Sequence, residues 1–205
     1  MPGVVSHFME LGQGVMAAVY AGDGDRHSQA AMTNDSSYVY FSTLLAGRVE
    51  TRTGQFLLEP SVGSGHIGYL PTDKFEVKAS ANFRQVELMV PPDTLMELAG
   101  DDADWLYHDV AHGPFFYDSA PGQQALEAAV TLYERMQPGQ TSALMVKAAA
   151  LELLAWRLGN PKSSSKVNRA DTAVPLRERK QLLVARELLL HDLSAPPTIA
   201  ELGAS

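Results

Sequence analysis

The chain has 205 residues, 45% hydrophobic and 20% charged, with a net charge of −8. This composition is globular and excludes a disordered or collagen-like chain, and the length suits one full domain plus an appendage. The absence of cysteine excludes a disulfide framework and a thiolate metal site. Residues 1–174 hold 12 basic against 20 acidic side chains, whereas 175–205 hold four of each. The first part therefore repels phosphate and is poorly suited to nucleic acid.

Met1 to Gly24 contains no basic leader followed by a long apolar core, so neither a signal peptide nor a membrane span is expected and the cytoplasm is the default compartment. From residue 12 to about 90 the chain reads as short strands separated by turn residues. Val15–Ala21 is an apolar run between Gly12-Gln-Gly14 and Gly22-Asp-Gly24. Ser37–Leu45 is rich in aromatic and β-branched residues. Gly47 opens Arg48–Arg52, Thr53-Gly54 is a turn, and Gln55–Glu59 is the return strand before Pro60. His66–Leu70, Phe75–Lys78 and Phe83–Val90 follow. Strands at spacings near ten residues predict a sandwich or barrel.

The character changes at Pro91. Pro92–Leu98 reads as a short helix, and Asp101, Asp102 or Asp104 opens another containing Trp105, Leu106 and Val110. Phe115–Tyr117 reads as a last strand or a buried loop. A longer helix is expected to be capped by Asp118 or Ser119, with Pro121 in its first turn and an apolar face of Leu126, Ala129, Val130, Tyr133 and Met136. Thr141–Leu158 is a second long helix. Along it Leu144, Ala148, Leu151, Ala155 and Leu158 form a stripe of near 3.5-residue period, which either faces the barrel or forms a homodimer seam. Pro161–Ala173 is small and polar, a linker by composition.

Motifs for chemistry are sparse. His66 and His27 occur without a His-x-His pair, and Glu59 and Glu87 are scattered, so no metal site and no cofactor are expected. His108 and His112 are four apart but end at once on Gly113-Pro114, which suits exposed helix-end histidines. Asp23 and Asp25 lack the remaining ligands of a calcium loop and are expected in a hairpin turn. No phosphate loop or nucleophile elbow is present, so the chain is not expected to be an enzyme. The aromatic residues either fill the core or line an apolar pocket in the barrel mouth. The candidate ligand-binding set is Tyr40, Phe56, His66, Tyr69, Phe83 and Arg84. His66, after Gly63-Ser-Gly65, is expected at the mouth or exposed. Arg84 is available to orient an anionic ligand, or else faces solvent.

At the C-terminal end, Leu182, Ala185, Leu189 and Leu193 share a helical face that stops at Pro196-Pro197. Thr198 and Glu201 have capping-box spacing for a second helix, Ile199–Leu202. The run Ala185, Arg186, Leu188, Leu189, Pro196, Pro197, Ile199, Ala200, Glu201, Leu202 resembles the start of the DNA-binding domain of AraC-type transcription regulators. The succession of strand, Gly47, strand, Thr53-Gly54, strand and Pro60 resembles the cupin-like barrel preceding that domain in many family members. Lys147–Leu154 is similar to a helix of siderophore-responsive members, of which the pyochelin regulator is the type. The resemblance implies an α+β protein: a cupin-like sensing and dimerisation domain over 1–160, a linker over 161–174, and the start of a helix-turn-helix domain over 175–205. It implies a homodimer that binds a small-molecule effector, in the narrower case a siderophore, and that contacts DNA only through parts beyond this sequence. The rival expectation is a metal-dependent cupin enzyme.

Overall fold

The computed structural model describes residues 3–159, except 25, 35, 36, 55, 72, 140 and 141, together with 164–166. The expected helix-turn-helix segment 175–205 lies outside the described residues, as does most of the linker. The described residues all belong to one compact unit.

Two antiparallel sheets form this unit. The larger runs in the order β1 (Val4–Gly12), β2 (Val15–Gly22), β9 (Arg84–Val90), β4 (Val39–Ala46), β7 (Gly65–Tyr69), β10 (Phe115–Ser119), β11 (Ser164–Lys166). The smaller runs β3 (Ser28–Asn34), β8 (Asp73–Ala79), β5 (Val49–Thr53), β6 (Phe56–Leu58). Four helices follow β9: α1 (Pro92–Ala99), α2 (Asp104–His112), α3 (Gln123–Arg135) and α4 (Ala143–Leu158), with a 3-10 turn at Gly100–Ala103, β10 between α2 and α3, and β11 after α4. This mostly β arrangement, with its helices gathered after β9, fits the α+β cupin-like expectation.

Strand alternation decides what lies on each side of the larger sheet, because successive side chains point to opposite faces. Val86, Leu88 and Val90 of β9, Val39 and Phe41 of β4, and Ile67 of β7 join the main core with Leu95, Leu106, Leu132 and Leu153 of the helices. The other parity faces the smaller sheet. Burying such a side chain contributes roughly 1.5–3 kcal/mol, so the helix-covered face carries much of the stability. Packing there is close because α3 presents Ala125, Ala128 and Ala129, and α4 presents Val146, Ala149 and Ala150. Ser142 caps α4 without a side-chain hydrogen bond, so burial of this face holds the helix in place. The Tyr117 hydroxyl donates to the Asp109 carboxylate and ties β10 to α2.

Several expectations are corrected. Strands β1 and β3 were not expected. Both are edge strands, and β3 (Ser-Gln-Ala-Ala-Met-Thr-Asn) has little intrinsic β-propensity, so its pairing with β8 imposes the conformation. The segment containing Asp23 is not a hairpin turn: it carries the chain from β2 in one sheet to β3 in the other. Helix α3 starts at Gln123 after Gly122, while Asp118 and Ser119 belong to β10. Its buried face is Ala125, Ala128, Ala129 and Leu132, rotated from the expected one, and Val130 is exposed. Ser164–Lys166 pairs with Ser119–Tyr117 as a short strand inside the stretch expected to be a linker.

Candidate functional site: a cavity between the two sheets

The second face of the larger sheet does not meet the smaller sheet in solid packing. Between them lies a cavity of about 450 Å³. Its floor comes from Tyr20 of β2, Gln85, Glu87 and Met89 of β9, Tyr40 and Ser42 of β4, and His66 and Gly68 of β7. Its roof comes from the smaller sheet, through residues such as Thr51, Thr53, Phe75 and Val77. Phe8 on edge strand β1 and Met32 on edge strand β3 also line it while being 55% and 40% exposed. An opening therefore lies between these two edges. At the other end Phe56, Leu58, Leu70 and Phe116 pack together and close the space.

Gly68 is needed for that closure. It stands opposite Phe116 in the β7–β10 register, and a β-carbon there would run into the Phe116 ring. The ring lies across the bare glycine and meets Phe56 edge-on, with centroids 5.0 Å apart.

The polar groups of the cavity are few and ordered by register. Glu87 pairs with Ala18 on β2 and with Ser42 on β4. The Ser42 Oγ accepts a hydrogen bond from the His66 backbone N–H at 3.1 Å, and His66 pairs with Asp118 on β10. A polar row, Glu87–Ser42–His66–Asp118, thus crosses the strands. The Tyr20 hydroxyl donates to Glu87 Oε2 at 3.2 Å. Burial pushes the Glu87 carboxyl up from 4.5 to about 7, against the lowering effect of the Tyr20 hydrogen bond. The Tyr20 phenol is pushed far above its ordinary value, first by burial and then by the neighbouring Glu87.

His66 is 8% exposed, which corrects its expected place at the mouth or in solvent. Strand β7 is interior, between β4 and β10, so its side chains are enclosed. Its Nδ1 lies 2.9 Å from Asp118 Oδ1 without hydrogen-bond alignment, and neither ring nitrogen makes a hydrogen bond.

Of the expected ligand-binding residues, Tyr40, His66 and Phe83 line the cavity together. Phe56 lies inside the sandwich but behind the wall, against Phe116. Tyr69 has the opposite parity in β7: it packs into the helix-side core, with its ring stacked 6.1 Å from Phe115. Arg84 also takes the helix-side parity of β9. It is exposed, with its guanidinium 5.9 Å from the centroid of Tyr133 on α3. It is not placed to orient a ligand in the cavity. Glu87 and Tyr20 were not singled out as ligand residues. The available signal was a carboxylate in the middle of an apolar strand, Val86-Glu87-Leu88.

Among the described residues no group of three or more His, Asp or Glu is arranged to hold a metal ion. His108 and His112 stack on the exposed side of helix α2, with the His112 ring against the His108 carbonyl. No helix of the described residues is long and apolar enough to cross a membrane.

The expected α4 stripe divides. Leu144, Ala148, Leu151 and Ala155 are exposed, Leu144 by 75%, whereas Leu158 is buried in the core. The face buried against α3 and the sheet is Val146, Ala149, Ala150, Leu153, Leu154 and Arg157. The exposed stripe lies mainly on the opposite side of the helix from the barrel, with Leu151 at its border beside Leu11, Val15, Leu88 and Val90. Arg157 donates to Thr43 Oγ1 of β4 and to Ser119 Oγ of β10, each at 2.7 Å. Desolvation lowers its guanidinium from the ordinary value to about 10.

No family model and no curated protein matches the chain. Solved structures similar to it include the AraC-like transcriptional activator CuxR, at 12% identity and TM-score 0.46, covering 100% of this chain and 77% of that one. ToxT from Vibrio cholerae is similar at 9% identity and TM-score 0.31, covering 88% and 70%. A cupin superfamily protein from Desulfitobacterium hafniense is similar at 10% identity and TM-score 0.34, covering 44% and 79%. At these identities and TM-scores none of them transfers an activity or a ligand to this chain.

Proposed function

We propose that residues 1–160 form a small-molecule-binding domain and serve as the effector-sensing part of an AraC-type transcription regulator. The observation that carries the binding half of this reading is the cavity of about 450 Å³, apolar over most of its wall and provided with a few convergent polar groups. Cavities of roughly 300–1,000 Å³ with that lining are the usual form of small-molecule sites. The regulator half rests on the resemblance of residues 185–202 to the opening of an AraC-type DNA-binding domain, a segment outside the described residues.

A sensing domain acts only if its ligand binds two states differently. Arg157 provides a physical connection for such a bias. It bonds helix α4 to Thr43 and Ser119, and these follow Ser42 and Asp118 of the polar row in their strands. The exposed row Leu144, Ala148, Leu151, Ala155 on the far side of α4 is the proposed homodimer seam, where the two alanines permit close helix approach. The siderophore class is not carried further, because the helix resembling that subgroup is α4, which contributes no residue to the cavity wall.

The test is a thermal-shift screen of small molecules on the whole chain, repeated on Met89→Trp, which puts an indole ring into the cavity and narrows it. A ligand selective for the folded state raises Tm. The reading expects hits that lose their effect in Met89→Trp. Hits with unchanged shifts in that variant would place the ligand elsewhere and end the reading.

A further inference from the structure

The cavity contains one carboxylate, and nothing in its wall balances it. Among the lining residues there is no lysine and no arginine. Arg84, next but two to Glu87 on the same strand, points to the opposite face. Glu87 Oε2 accepts from Tyr20, while Oε1 has no protein partner among the described residues. The other titratable groups sharing the space are Tyr20 from β2, Tyr40 from β4 and His66 from β7, and His66 leans on Asp118 rather than on Glu87. The lining residues of strands β1, β3, β5, β6 and β8 include no titratable group. The same wall carries aromatic rings: Phe8, Tyr20, Tyr40, Phe75, Phe83 and Phe116.

We propose that the cavity selects a ligand bearing a protonated amine on an apolar body, with the ammonium on Glu87 Oε1 and the body among the aromatic rings. A carboxylate in an apolar enclosure is neutralised either by a proton or by a cation brought to it. An ammonium supplies that cation, forms a charge-assisted hydrogen bond, and is attracted to the faces of surrounding rings. An anionic ligand meets the opposite situation, because it faces Glu87 with no lysine or arginine to receive it. The inference rests on the small-molecule-binding reading above and narrows it to one ligand class.

The raised Glu87 carboxyl adds a pH signature. With its midpoint at about 7, the ionised fraction rises about tenfold from pH 6 to pH 8. An alkylamine remains protonated over this range. Affinity for the amine therefore rises by about tenfold between these pH values, and affinity for a neutral analogue does not.

A matched set of 4-phenylbutylamine, 4-phenylbutan-1-ol and 4-phenylbutanoate tests this by titration calorimetry on the whole chain at pH 6 and pH 8. The expected order at pH 8 is amine tightest by about tenfold or more, as one charged hydrogen bond warrants, then the alcohol, with the carboxylate weakest. Glu87→Gln should bring the amine to the level of the alcohol and remove its pH dependence, since the glutamine carbonyl still accepts from Tyr20. Equal or tighter binding of the alcohol or carboxylate by the native chain overturns the amine assignment and leaves the small-molecule reading standing. Binding by none of the three removes that reading and the assignment with it.

Discussion

The larger sheet has two faces built from the same strands, and they have been put to opposite uses. On one, Val39, Phe41, Ile67, Val86, Leu88 and Val90 meet four helices in a filled core, where the buried polar Thr43 of β4 is bonded by Arg157 of α4. On the other, the neighbouring residues Tyr40, Ser42, His66, Gly68, Gln85, Glu87 and Met89 surround space. A shift of one residue along β9 moves a side chain from a filled core to an unfilled one. Stability is concentrated on the helix side, which leaves the cavity side able to carry a carboxyl group without a cationic partner and a histidine without ring hydrogen bonds.

Truncation of adjacent residues breaks or sharpens this contrast with the largest expected effect. Leu88 is 1% exposed, so Leu88→Ala removes packed atoms and leaves a void, at a cost of about 2–5 kcal/mol. Met89→Ala enlarges a space already present and should cost under about 1 kcal/mol. Denaturant midpoints of the two variants check it. Equal losses would mean that the cavity face is packed as tightly as the helix face.

Acidity gives the next effect. In the folded chain Glu87 holds its proton up to about pH 7, whereas its ordinary value is 4.5. Between these values the folded state binds more protons than the unfolded one, so stability falls as pH rises. The contribution is complete below pH 4.5 and is lost as pH passes through about 7, and amounts to roughly 3 kcal/mol between the two limits. Glu87→Gln should flatten the profile and be the more stable protein at pH 8. An unchanged slope in Glu87→Gln between pH 5 and pH 8 would show that the carboxylate is not the source.

How much of this was legible beforehand follows from the same parity. The interior strands lie between glycines and prolines, and their existence is readable from the sequence. The edge strands β1 and β3 are paired on one side only, and their mixed side chains give weak periodicity. Within β7, parity separates His66 and Gly68 from Ile67 and Tyr69, but both sets are compatible with burial. Which face would be filled depended on the helices and could not be read from β7 alone. Tyr69 and Arg84 were misplaced for this reason. Glu87 was passed over because scattered carboxylates were weighed only as metal ligands, when its apolar strand neighbours were the better guide.

The connection between helix and sheet predicts a smaller effect. Arg157 reaches two hydroxyls on strands either side of β7 through separate guanidinium nitrogens. A lysine ammonium at the end of a single stem does not reproduce that fork. Arg157→Lys should lose one charged hydrogen bond and about 1.5–3 kcal/mol of stability. If the connection also relays ligand binding to α4, the variant should keep its cavity affinity while losing any ligand-dependent change in self-association. Retention of both stability and coupling would leave Arg157 without the proposed role.

The least costly change for the fold is the most decisive for α4. Leu144 is 75% exposed and lies opposite the buried Leu153 and Val146. A glutamate at 144 touches nothing in the core, so Leu144→Glu should alter stability by no more than about 0.5 kcal/mol. In a homodimer joined along Leu144, Ala148, Leu151 and Ala155, the same change sets two carboxylates facing each other across a two-fold seam, because each copy presents the same patch. Neither would have a counter-ion, and both would be desolvated, which weakens such an interface strongly. The native chain should therefore sediment as a dimer at micromolar concentration and Leu144→Glu as a monomer, with superimposable melting curves once extrapolated to low concentration. Placing the same charge at Val130, exposed on α3 rather than α4, controls for a general effect of acidity and should leave the dimer intact. Sedimentation of Leu144→Glu identical to that of the native chain removes the seam from α4, whichever oligomeric state the two share.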